Sequence, residues 1–161
     1  MYLMRPVLTL LLILFAFHSQ AQQLPQDSIP LSEASLKMLE FTEAHMGKKV
    51  GNGICASFVN EAMGHATGRA WWSAGRKIDL KREFIRPGDV LYMRWYKGKR
   101  GRRTQSHVAV VTHVYEPHLV EVAHQNFNGQ KFVVKSRYDL NQKIRDGRRV
   151  VIYRPEAAPV N

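Results

Sequence analysis

Cysteine is almost missing from this chain: Cys55 stands alone among 161 residues. That excludes an internal disulfide, and it disfavours a redox protein working through a thiol pair. Exported proteins use cysteine mainly for disulfides. An unpaired one is therefore a candidate reactive thiol or an intermolecular bridge. Acids are scarce as well, with 13 Asp and Glu against 24 Lys and Arg and a net charge of +11. Such a surface favours anionic partners by long-range attraction. No internal repeat and no long low-complexity tract is present.

Long apolar runs are also lacking. The longest, Val7 to Phe17, falls short of the roughly 20 residues that a spanning helix needs. Behind Met1 and the lone cation Arg5, it reads as the core of a secretory signal peptide. Ser19-Gln20-Ala21 then supplies the small residues of a cleavage site. The expected organisation is a signal peptide over 1–21, a flexible lead-in over 22–30, one catalytic domain over 31–155 and a tail over 156–161. The expected location is secreted or periplasmic. A domain of this size holds a core without disulfides.

Pro30 to Met46 reads as a helix with Ser32 as its cap and Gly47 at its end. After the turn Val50-Gly51-Asn52-Gly53, a second helix is expected from about Ile54 to His65, with Ile54, Phe58, Val59, Ala62 and Met63 as its apolar stripe. Thr67 to Glu83 is of mixed composition and has no assignment. Beyond the turn Pro87-Gly88-Asp89, five strands are expected: Val90–Trp95, His107–Val114, Leu119–Asn126, Lys131–Lys135 and Val150–Tyr153. Helices first and antiparallel strands afterwards argue for an α+β fold.

Cys55 falls at the start of the second helix, where the dipole and free N–H groups favour a thiolate. Asn52 and Gly53 lie just before it, and the glycine leaves room for a substrate backbone. His107 opens a strand whose partner carries His124 and Asn126. A four-residue loop over Tyr115–His118 closes the hairpin on Val114 and Leu119. This register sets Val111 opposite Val122, Ala109 opposite His124 and His107 opposite Asn126. Opposed side chains sit about 4.5–5.5 Å apart at Cβ. A base needs such a polar partner to hold its tautomer. The register favours Asn126 as that partner, with His124 one diagonal step away.

These pieces together resemble the CHAP family of cell-wall amidases and peptidases, within the papain-like group. The resemblance runs from Met46 to Pro155 and rests on Gly51-Asn52-Gly53-Ile54-Cys55, Arg86-Pro87-Gly88-Asp89-Val90, Ser106-His107-Val108-Ala109-Val110-Val111 and His124-Gln125-Asn126. It implies a papain-like, CHAP-type α+β fold with N-terminal helices packed on an antiparallel sheet. It implies Cys55 as nucleophile and His107 as base, and points to position 124 as the orienter. The family usually has a carboxylate there, whereas other papain-like cell-wall peptidases use a histidine as here. The implied activity is cleavage of an amide bond in peptidoglycan peptides. The alternative, motivated by the missing carboxylate, is a catalytically weak or inactive module of the same fold that binds the wall or another anionic surface.

Gly51-Asn52-Gly53-Ile54-Cys55-Ala56 also matches a dinucleotide fingerprint, but no hydrophobic strand precedes it. His107, His113 and His124 invite zinc, yet His113 falls at the turn end of the hairpin. No Asp-rich loop precedes Cys55 to suggest calcium. No metal or cofactor is expected. Arg100, Arg102 and Arg103 belong to a basic tip beside Trp95 and Tyr96, next to His107. Basic and aromatic residues together can bind single-stranded nucleic acid. Here an anionic cell-envelope polymer is the expected partner and nucleic acid is not. Trp71 and Trp72 are read either as cleft lining or as core. The chain is expected to be monomeric, with a proteinaceous inhibitor as a further candidate partner.

Overall fold

In the computed structural model, residues 30–97 and 103–157 are described. The expected signal peptide, most of the lead-in, Arg100, Arg102 and the last residues of the tail lie outside them. From Leu31 onward the chain forms one compact unit. Helix α1 spans Glu33–Ala44, and Ser32 caps it by accepting from the Ser35 N–H at 3.1 Å. Helix α2 spans Cys55–Thr67 and ends on Gly68 in the left-handed conformation. A single turn, α3 (Trp71–Ala74), leads into the short strand β1 (Gly75–Lys77). Then come β2 (Val90–Lys97), β3 (Arg103–Glu116), β4 (Leu119–His124), β5 (Val134–Asp139), helix α4 (Leu140–Arg145) and β6 (Arg149–Pro155).

The strands form one antiparallel sheet in the order β1-β6-β2-β3-β4-β5. Alternation divides its residues between two cores. Val90, Val108, Val110 and Ala123 meet the α2 stripe of Phe58, Val59, Ala62 and Met63. On the other face, Leu91, Met93, Ala109, Val111, Val120, Val122, Tyr138 and Ile152 pack with Ile78, Ile85 and Leu140. Phe58 and Met63 are fully buried. Each contributes roughly 1.5–3 kcal/mol of transfer free energy.

Two polar features anchor this arrangement. Gly88 has φ +88, and a Cβ there would meet Ser35 of α1 at 2.7 Å, so the Pro-Gly-Asp turn admits only glycine at that contact. Asp89, which follows, is fully buried. It accepts from Arg154 Nε and Nη2, both at 3.0 Å, and from the Arg86 N–H at 2.9 Å. Burial pushes its carboxyl above the ordinary value even so, against the pull of Arg154. The motif that carried part of the family resemblance is thus a structural clamp between β2, β6 and the preceding loop.

Several expected boundaries shift. The strand expected to begin at His107 begins at Arg103, because β2 and β3 pair as far as Lys97 with Arg103. The strand expected over Lys131–Lys135 runs instead over Val134–Asp139. The Val114–Leu119 closure is replaced by Glu116–Leu119 and Val114–Val120, with two register shifts along β3. Of the four residues expected in the loop, Pro117 and His118 remain as the turn, Glu116 pairs and Tyr115 is bulged, with a second bulge at Thr112. The inserted residues cancel, so Val111 still faces Val122.

Candidate active site

The turn before α2 is held from the sheet. Gln125, fully buried and just past the end of β4, donates from Nε2 to the carbonyls of Val50 and Ile54, each at 2.8 Å. Its Oε1 accepts from the Val50 N–H at 3.1 Å. The residue next to His124 therefore grips the residue next to Cys55. Cys55 is partly exposed and opens α2, where helix-start N–H groups lie ahead of the helix's own hydrogen-bond ladder.

On the sheet, His107 and His124 are brought together. His107 Nε2 and His124 Nδ1 are 2.9 Å apart, and the rings meet edge to face at 5.0 Å between centroids. His124 Nε2 lies 2.9 Å from Ser136 Oγ on β5. Phe127 flanks both rings, at 5.8 Å from His107 and 4.9 Å from His124. Burial lowers the pKa of His107 to about 4, and the charges of His124 and Arg148 push the same way. Burial alone takes His124 to about 4. Both rings are therefore neutral near pH 7. No carboxylate joins this chain of hydrogen bonds among the described residues.

Asn126 is not where the extended register put it. β4 stops at His124, and Asn126 is exposed with φ +58, its N–H donating to the Gln130 carbonyl at 2.6 Å. The left-handed residue turns the chain away, so Asn126 does not stand opposite His107 in a ladder. Asn52 spends its side-chain oxygen locally, accepting from the Ile54 N–H at 3.2 Å and from the Ser57 hydroxyl. Gly53 is buried with φ +83, and a Cβ would crowd Lys49 and Lys131 at 3.1–3.2 Å. The positive φ is a conformation that favours glycine there.

Trp71 packs between Tyr92 and Tyr153 on the first core, at 5.5 and 5.6 Å, and Trp72 is exposed. Neither ring contacts the histidine pair among the described residues. Arg103 begins β3. Among the described residues no group of His, Cys, Asp and Glu is arranged to hold a metal ion. A groove of about 390 Å³ bordered by Leu80, Phe84, Leu140 and Ile144 contains none of the candidate residues.

Four residues around the pair were not singled out by sequence reasoning: Ser136, Phe127, Tyr138 and Arg148. Ser136 and Tyr138 alternate with Val134 along β5, and that period of two was the available signal. It went unread because the strand was ended at Lys135.

A helix that opens on a cysteine, held against an antiparallel sheet that carries a buried histidine pair, is compatible with a cysteine-proteinase fold. The chain belongs to the AIM3/BBC1 cysteine proteinase-fold domain family, which residues 22–159 match. Among solved structures it resembles Ly7917 with the hydrolyzing product of MDP, at 16% identity and a TM-score of 0.53. A second structure of Ly7917 aligns at 16% identity and a TM-score of 0.50. In both cases the match covers 75% of this chain and 62% of the other, so this chain spans under two thirds of that protein. No curated protein matches the sequence.

Proposed function

We propose that this protein is an exported, CHAP-like cysteine hydrolase that cleaves an amide bond in peptidoglycan peptides. The observation that supports the reading most is the hydrogen-bonded chain His107–His124–Ser136, one residue from the Gln125 that holds the turn into the Cys55 helix. When His124 Nε2–H donates to Ser136, His124 Nδ1 accepts from His107 Nε2–H. His107 Nδ1 then keeps a lone pair for the Cys55 proton.

Cys55 Sγ attacks the amide carbonyl as its proton passes to His107. The helix-start N–H of Cys55 supports the oxyanion. His107 returns the proton to the leaving amine, and water then releases the acyl group from sulfur with His107 again as base. A neutral resting imidazole suits a base that takes the proton during attack. The substrate class draws support from Ly7917, whose structure was solved with a hydrolysis product of MDP. The basic composition supports attraction to an anionic wall polymer.

The second reading, a wall-binding module with little turnover, is favoured by one observation: among the described residues no carboxylate bonds to His107 or His124. Purified peptidoglycan incubated with the protein separates the two, with soluble products identified by mass. The hydrolase reading expects peptide fragments that Cys55→Ala does not release. Wall binding without fragments from either form would leave only the module.

A further inference from the structure

Arg148 lies beside the histidine pair without an acidic partner. Across β3, β2 and β6, His107, Met93 and Val150 are aligned in one row. Two rows further along, on the same face, lie Gln105 and Trp95, and the Arg148 guanidinium sits over the Trp95 ring at 4.6 Å. Its charge reaches both His107 and Tyr138. Among the described residues no carboxylate pairs with it, and residues 98–102 contain no acid to do so.

Tyr138 supplies an independent observation. The residue is 3% exposed, its ring is 5.8 Å from that of His124, and its hydroxyl has no hydrogen-bond partner among the described residues. A buried hydroxyl without a partner is uncommon and calls for an explanation. Burial pushes this phenol up to about 12, against the pull of the Arg148 charge, so it remains a donor. The Tyr138 ring also lies 6.2 Å from that of Phe127, the residue that flanks both histidines. Lys143 adds a second cation, 4.5 Å from the Tyr138 ring.

We infer that Arg148, carried on Trp95, and the Tyr138 hydroxyl form an anion subsite that receives a carboxylate of the substrate next to the bond cleaved. A guanidinium presents a planar fork that matches a carboxylate. A neutral donor beside it suits a single negative charge. The inference rests on the hydrolase reading and narrows its substrates to peptides with a free carboxylate close to the scissile amide.

The test does not require turnover. Cys55 is the sole thiol, so it reports alkylation by anionic iodoacetate and by neutral iodoacetamide. Both reagents use the same thiolate, and the ratio of their rates cancels its ionisation. At 0.15 M salt that ratio is expected to exceed the ratio on N-acetylcysteine by about tenfold. Arg148→Gln should remove most of the excess in the ratio, whatever it does to the thiolate fraction, and Tyr138→Phe should lower the ratio too. Arg149→Gln removes an equal charge from the next residue and should leave the ratio intact. A ratio equal to that of the free thiol, or one that falls equally in Arg148→Gln and Arg149→Gln, would overturn the subsite. An unchanged ratio in Tyr138→Phe would remove Tyr138 from it. An intact ratio in a protein that cleaves no wall peptide would instead sink the hydrolase reading.

Discussion

His107 and His124 differ from an imidazole–carboxylate pair in one decisive respect: neither brings a negative charge. Burial therefore wins, and both pKa values fall to about 4. A base must be unprotonated, so the acid limb of kcat/KM should lie near pH 4 rather than near 6.5. Replacing His124 by Glu adds a charge that favours the imidazolium and should move that limb upward. A pH–rate profile of both forms checks the shift, and superimposable profiles would contradict the neutral-pair account. Ser136 acts through His124. Ser136→Ala should lower kcat by about tenfold, less than the roughly 10²–10⁴-fold that a direct acid–base group supplies, with KM little changed. Ser136→Thr should restore part of the loss, which separates orientation of the ring from a packing defect.

The elements deliver these side chains through buried polar grips more than through helix or strand propensity. Gln125 is the clearest case, since one side chain satisfies three backbone groups of the turn before Cys55. Gln125→Leu strands buried polar groups that cost about 1–3 kcal/mol each. It should lower stability by at least about 2 kcal/mol in denaturant unfolding, and turnover should fall further than the folded fraction does. Asp89→Ala removes two of the bonds that hold Arg154, which keeps Glu83 and the Phe84 carbonyl, and should cost about 1–3 kcal/mol. The placing of Cys55 at a helix start and of His107 on a strand was legible because a helix and an alternating strand impose their own periods. Asn126 was misplaced because a left-handed residue ends β4, and a strand pattern carries no mark for that. α3 and β1 stayed hidden in Thr67–Glu83, since four- and three-residue elements are too short to show a period.

At the scale of the whole molecule, the two-faced sheet was readable from strands that are apolar on both sides, as in Val108-Ala109-Val110-Val111. Strand order was not, because β6 inserts between β1 and β2 by contacts remote in sequence. The buried histidines also tie folding to pH. Their folded pKa values lie below the unfolded value of about 6.5, so the unfolded chain binds more protons between about pH 6.5 and 4. Stability should be full above that window and fall as pH drops through it. Thermal unfolding across pH 4–7 should show this loss, and His107→Phe should flatten the dependence.

The central claim is that Cys55 forms the covalent intermediate and His107 drives it. Its most direct test is acid quenching of the protein during turnover of a wall peptide, followed by mass mapping of the peptide that contains Cys55. The account predicts an acyl adduct on Cys55 in the native protein, little or none in His107→Ala, and no turnover in Cys55→Ala. Hydrolysis that continues undiminished in Cys55→Ala would contradict it.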